Sequence, residues 1–179
     1  GWSYQYHTVL PVWLAAGHRV VAPDLLGFGR SDKPKKEAAH SVNWHRQTLL
    51  ELVERLDLRN VVLVVPPGQG GLLGLTLPPA APHRYRGLLV LDTLQPADTA
   101  AYDAPFPDRG HSAALRAFPA LQPTLQPTDL DGQSDEVSRT TRNFWHHTWM
   151  GRSLVPKTGP HTPAQMAEVA REAVEYFQP

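Results

Sequence analysis

The chain has 179 residues and no cysteine. Disulfides and thiolate chemistry are therefore excluded, and with no disulfide framework the expected compartment is cytoplasmic. An excess of either charge is also missing, since Lys plus Arg is 17 and Asp plus Glu is 17. Binding to nucleic acid or to an anionic membrane draws on a basic surplus, so neither partner is expected. No apolar run approaches the roughly 18 residues of a membrane span. The start has no basic-then-apolar pattern, which reads against a secretory leader. Proline, by contrast, is plentiful: 18 residues, about twice the usual share of roughly 5%. Many fall between positions 78 and 163, so that half is expected to be rich in loops. Hydrophobic residues at 41% and charged residues at 19% suit a globular chain able to bury a core.

Hydrophobic spacing sets the element order. Trp2, Tyr6, Val9, Leu10, Trp13 and Leu14 recur at steps of three and four, predicting a helix over 2–16 with Pro11 inside it and Gly17 as its stop. "HRVVAPD" reads as a short strand. A second helix is expected from Asn43, as its cap, to Leu56, with Leu49, Leu52, Val53 and Leu56 on the buried side. "NVVLVV" is a continuous β-branched run, the pattern of a parallel strand covered on both faces. "GGLLGLTLP" predicts a short helix ended by Pro78, and "GLLVLD" the next strand. A short helix near 111–117, a helix over 136–149 and a strand at "RSLV" follow. Thr162 and Gln165 have capping-box spacing with Pro163 at the first helical position, and Met166, Val169, Ala170, Ala173, Val174 and Phe177 line one face of a last helix. This alternation implies an α/β fold with crossover connections.

The chemistry centres on "NVVLVVPPGQGGLLGL". A strand-to-helix turn of small residues is where a nucleophile elbow presents its reactive side chain. Here the turn holds Pro66, Pro67, Gly68, Gln69, Gly70 and Gly71, and none is a nucleophile. A plain turn of glycines explains it equally. A dinucleotide fingerprint from Gly68, Gly70 and Gly74 with Asp92 is a further alternative, but the glycine spacing departs from G-x-G-x-x-G and two prolines remove N–H donors. His161, just before the last helix, is a candidate general base, against the plainer reading of a loop histidine. The adjacent His146 and His147 point apart and make poor joint metal ligands, and no cluster has zinc spacing. Asp24 and Asp92 end strands, as catalytic carboxylates or as loop caps.

"WSYQYHTVLPVWLAAGHRVVAPDLLGFGRSDKP" and "LLELVERLDLRNVVLVV…GGLLGLTLP" strongly resemble the haloalkane dehalogenases of the α/β-hydrolase superfamily. "AYDAPFPD…ALRAFP", "FWHHTWMGRS" and "HTPAQMAEVAREAVEYF" resemble that family's cap end, the helix before a late strand, and its final helix. The resemblance implies an α/β-hydrolase-like fold with a mostly parallel sheet and helices on both faces, an incomplete N-terminus and a shortened cap. Residues 1–95 would be a partial core, 96–150 a cap remnant, and 151–179 the C-terminal strand and helix of the core. It also implies hydrolysis of a carbon–halogen bond: an elbow aspartate attacks the carbon, tryptophan N–H groups hold the halide, and a histidine oriented by an acid activates water. No metal or organic cofactor is implied. The partner would be a small apolar halogenated substrate, and the chain a monomer.

The departures fall on that machinery. Gly68 stands where the family has its aspartate, and Gln69 where it has a tryptophan. The segment is one residue longer, with Pro66 and Pro67 in it. The preceding strands with their histidine-glycine loop, most of the cap with a second halide-binding tryptophan, and the stretch bearing the orienting acid have no counterpart. Only His161 answers to a member of the triad, displaced by one residue. The expectation is a scaffold with little or no dehalogenase activity, or a non-catalytic protein that binds an apolar small molecule.

Overall fold

Among the described residues three parallel strands organise the fold: β1 (Val61–Val65), β2 (Tyr85–Val90) and β3 (Arg152–Leu154), in the order β1-β2-β3. The computed structural model describes residues 3–67, 71–92, 103–121, 136–156 and 162–179. Leu63 pairs with Leu88 and Leu89 with Leu154, so the β-branched run "VVLVV" does form a strand beside the second apolar run. Six α-helices accompany the strands among the described residues: α1 (Leu10–Ala15), α2 (Val42–Arg55), α3 (Leu72–Leu75), α4 (Ala113–Leu121), α5 (Glu136–Asn143) and α6 (Pro163–Tyr176).

Helices cover both faces of the sheet. On one face, Val9 and Trp13 of α1 meet Met166, Ala170 and Ala173 of α6, with Phe177, Leu89 and Leu91 completing the cluster. The Trp13 indole N–H donates to the Ala170 carbonyl at 3.2 Å, which gives a buried polar atom its partner. Burying a side chain such as Met166 completely stabilises the fold by about 1.5–3 kcal/mol. On the other face α3 lies against β1, and α2 packs on α3. The capping box at the start of α6 forms as expected: Thr162 Oγ1 accepts from Gln165 N at 3.2 Å and Gln165 Oε1 from Thr162 N at 2.8 Å.

Several expectations are corrected. The stripe from residue 2 to 16 divides into a 3-10 turn (Ser3–Tyr6) and α1. Pro11 sits in the first turn of α1, where its missing N–H would have no helical partner anyway, so it marks the start of a helix shorter than the stripe. Gly17 ends it with φ +84°. Leu14 is 58% exposed and leaves the stripe. The cap of α2 is Ser41, whose Oγ accepts from Trp44 N at 3.1 Å, and Asn43 lies inside the helix. Leu56 falls beyond the last turn of α2 and is exposed. The helix expected over 136–149 changes at Phe144 to a π-helical turn (Phe144–Thr148).

The most informative correction concerns "HRVVAPD". Residues 18–24 carry no strand. Val20 and Val21 have strand propensity, but a strand is defined by a neighbouring backbone, and here a slot of about 570 Å³ separates the segment from β1.

Tyr85, at the start of β2, gives a first test. Its ring is buried and its hydroxyl has no hydrogen-bond partner among the described residues. Burial pushes its pKa up to about 12, against the opposing charge of Arg84. An unpaired buried hydroxyl is a liability, so Tyr85→Phe is expected to stabilise the chain by about 1 kcal/mol, read as a higher urea midpoint. A lower midpoint would mean that the hydroxyl is bonded in solution.

Candidate functional site

The site region is built at the ends of β1 and β2. The run of β1 stops at Val65, and Pro66 follows with no N–H to donate. Leu91 N still donates to Val65 O at 2.9 Å, so the two chain ends stay together, with Asp92 next along. The chain then returns into α3, which crosses β1 very closely. A Cβ on Gly74 would lie 2.7 Å from Val65 Cγ1, and one on Gly71 would overlap the Pro66 carbonyl oxygen. Glycine at both positions is thus a packing requirement of a tight strand-to-helix return. Gly74, one of the glycines of the dinucleotide alternative, is used for this approach inside the helix.

The reactive centre of the sequence argument, Gly68 with Gln69 and Gly70, lies outside the described residues, as does His161. Their neighbours are placed: Pro67 and Gly71 flank the first group, and Thr162, the cap of α6, follows the histidine.

Asp24 lies at the end of the 18–24 segment and acts there as a loop organiser. One carboxylate oxygen accepts from Ser3 N at 2.7 Å and the other from Arg30 N at 2.9 Å, while Ser31 Oγ donates to its carbonyl at 2.6 Å. Burial alone would raise its pKa, but the hydrogen bonds from Arg30 and Ser3 outweigh it and hold the carboxyl below its usual range. These bonds fix the loop that turns through Gly27 and Gly29, both at positive φ. His146 and His147 are both exposed, with ring centroids 6.2 Å apart. No group of three metal-ligating side chains exists among the described residues.

Indole N–H groups matter because the resemblance assigns halide binding to such donors. Trp13 donates to Ala170 O, Trp145 to Leu75 O at 2.8 Å and Trp149 to Ser153 Oγ at 3.0 Å. All three are thereby committed to internal acceptors and tie α6, α5's continuation and β3 into the scaffold.

Sequence reasoning missed a buried histidine pair. His40 and His45 are 4% and 2% exposed, their rings stack at 5.3 Å, and His40 Nδ1 is 3.1 Å from His45 Nε2. His40 Nε2 lies 3.3 Å from Pro34 O, an acceptor only, so that nitrogen carries the proton; His40 Nδ1 is then the acceptor and His45 Nε2 the donor. Trp44 and Phe118 close around His45, and desolvation followed by the neighbouring His40 lowers its pKa to about 4. The signal was present but weak: two histidines five residues apart, on either side of the capping Ser41.

The family model described as the alpha/beta hydrolase fold matches residues 1–172. The chain belongs to the α/β-hydrolase fold family. Within it, the relatives are haloalkane dehalogenases. Haloalkane dehalogenase 1 of Mycobacterium bovis is 35% identical over 162 residues, covering 69% of this chain and 54% of that protein. The haloalkane dehalogenase of Psychrobacter cryohalolentis is 30% identical over 187 residues, covering 80% of this chain and 61% of its own. Among solved structures, the tetrameric haloalkane dehalogenase DpaA from Paraglaciecola agarilytica superposes with a TM-score of 0.74 at 30% identity, covering 98% of this chain and 78% of that one. Haloalkane dehalogenase family membership follows, as the sequence blocks implied. The α/β-hydrolase chain described here spans about half the length of the curated relatives it matches. Among its described residues no helix is long and apolar enough to cross a membrane.

Proposed function

We propose that this α/β-hydrolase is a haloalkane-dehalogenase scaffold with little or no dehalogenation of its own. The observation that carries the reading is glycine at position 68, where the resemblance places the attacking aspartate. Without that carboxylate no alkyl ester forms, and loss of a covalent nucleophile lowers kcat by as much as about 10⁶ in a well-studied hydrolase. Gln69 supports the reading, since it stands where the family has a tryptophan. His161 would remain as a base with nothing to deacylate. In this reading residues 1–95 and 151–179 form one core and 96–150 are what is left of a cap; no cofactor takes part, and the chain is a cytoplasmic monomer.

Halide release from short chloro- and bromoalkanes tests this. The unmodified chain is expected to match the buffer blank, and Gly68→Asp to gain at most a small fraction of an intact enzyme's rate, because the other groups are not restored. Sustained turnover by the unmodified chain would overturn the proposal. The slot beside β1 gives a second reading some support, because its volume lies within the roughly 300–1,000 Å³ of small-molecule pockets. Calorimetric binding of a haloalkane or alcohol without turnover would favour a non-catalytic binding protein.

A further inference from the structure

We propose that His40 and His45 form a proton-sensitive clasp for α4: one extra proton on the pair lets this helix come away while the sheet and α6 stay folded.

Helix α4 rests on one stretch of chain. Its main packing is on the 3-10 turn Glu37–Ala39. Ala114 lies so close to Gly27 that a Cβ on the glycine would overlap the alanine's own, and would sit 3.0 Å from His40 Cε1. Phe118 meets the Phe28 ring at 5.0 Å and the His45 ring at 4.8 Å, edge to face in both cases. Arg116 Nε donates to the Glu37 carboxylate. Every one of these contacts is with residues 27–45. The cluster that joins α1, α6 and β2 contains no α4 residue. The helix can therefore lift without opening that cluster, as a local unfolding unit does. Its nine residues are too few to hold a helix alone in water, so lifting also melts it.

The facing rings hold two protons and resist a third. His40 Nε2 donates one to Pro34 O, and His45 Nε2 donates the other to His40 Nδ1, 3.1 Å away. A proton added to His40 Nδ1 would meet the His45 N–H head-on. One added to the far nitrogen of His45 would charge a ring that is 2% exposed and enclosed by Trp44 and Phe118. Both conflicts are relieved once Phe118 leaves, because the rings can turn apart and His45 meets water. The lifted form thus binds the proton that the docked form resists, and acid draws the chain toward the lifted form. The lowering of the His45 pKa to about 4 by burial and by His40 points the same way.

Other charged groups surround the clasp. Lys33 and Lys35 flank Pro34 and Arg46 follows His45; lysine and arginine keep their charge through mild acid. At the entry to α4, His111 Nδ1 lies 2.8 Å from Asp108 Oδ1, and a proton there strengthens the pair, the opposite sense. Glu37 remains, since its protonation would also free Arg116, and it is tested separately.

The chain has no cysteine, so one introduced thiol reports on one place. Ala117→Cys puts it on the buried side of α4, and Ala173→Cys on the buried side of α6. Dithiodipyridine, which reacts with thiols in acid as well as at neutrality, labels each in the folded chain, and rates are divided by those in strong urea at the same pH. From pH 7.5 to 5 the relative rate at the α4 thiol is expected to rise at least about tenfold. At pH 5 it should exceed that at the α6 thiol by at least about tenfold and change little in low urea, because lifting a short helix exposes little surface. The α6 thiol, reached through global unfolding, should label slowly and with a steep urea dependence. In His45→Phe, which keeps a ring, and in His45→Gln, which keeps a donor to His40, the rise is expected to vanish. Arg116→Met should speed labelling of α4 at both pH values and leave the rise in place. Equal rates at the two thiols would mean global unfolding alone and overturn the proposal. So would no rise at α4, a rise that survives in either His45 variant with its α6 thiol protected, or a rise lost in Arg116→Met.

Discussion

Gly71→Ala is expected to destabilise the chain by at least about 3 kcal/mol, enough to leave a marginally stable domain partly unfolded at room temperature. The added methyl would overlap the Pro66 carbonyl oxygen and sit 3.2 Å from Val65 Cβ. A backbone carbonyl in a tight return cannot rotate aside as a side chain can, so relief requires α3 to lift from β1. Backbone conformation is not the cause, because Gly71 lies at φ −88° and ψ −15°, where alanine is at ease. Gly17→Ala supplies the comparison. Gly17 has φ +84° and nothing within 4 Å of a built Cβ, so its substitution carries only the left-handed penalty of about 1–2 kcal/mol. Urea unfolding of the two variants should rank Gly71→Ala as clearly the worse. Equal losses would mean that Gly71 sits less closely against Pro66 and Val65 than the geometry shows.

The second large effect is a loss of stability in mild acid. His45 titrates near 4 in the fold against 6.5 ordinarily. Below pH 6.5 the unfolded chain takes up a proton that the fold refuses until about pH 4. The stability is therefore fully present above 6.5 and falls as pH drops through that window. A difference of 2.5 units corresponds to about 3 kcal/mol at its low-pH end. Urea midpoints at pH 7.5, 5.5 and 4.5 check this against His45→Phe, which keeps an aromatic ring among Trp44 and Phe118 and cannot titrate. The wild-type midpoint should fall much more steeply than the variant's. Parallel profiles would place the acid sensitivity elsewhere.

These two predictions also mark what was legible in the sequence. The run "VVLVV", the capping box of α6 and the pairing of apolar runs into a parallel sheet were readable because each depends on local pattern. Burial of Met166, Ala170, Ala173 and Phe177 followed from their spacing alone. The start of the first helix was placed too early, because the apolar stripe runs on through the 3-10 turn Ser3–Tyr6 ahead of Pro11. Asn43 was taken for the cap because both Ser41 and Asn43 are competent, and only the backbone path decides which. "HRVVAPD" has the composition of a strand and no neighbour to make it one, a fact of tertiary placement that no window of residues contains. The histidine pair escaped for the same reason: its burial comes from Phe118, more than seventy positions away. The family resemblance located the departures at Gly68 and Gln69, and the machinery they belong to is a matter of chemistry that halide assays decide.

The indole of Trp13 bonding to Ala170, 157 positions later, sets an order of events for synthesis. While the ribosome is still translating, Val9 and Trp13 emerge with no surface to rest on, and they stay uncovered until the closing helix has cleared the exit tunnel. Val9 and Trp13 thus find shelter only once the stretch through Ala170 has been made, which makes them a natural place for a chaperone to hold the chain.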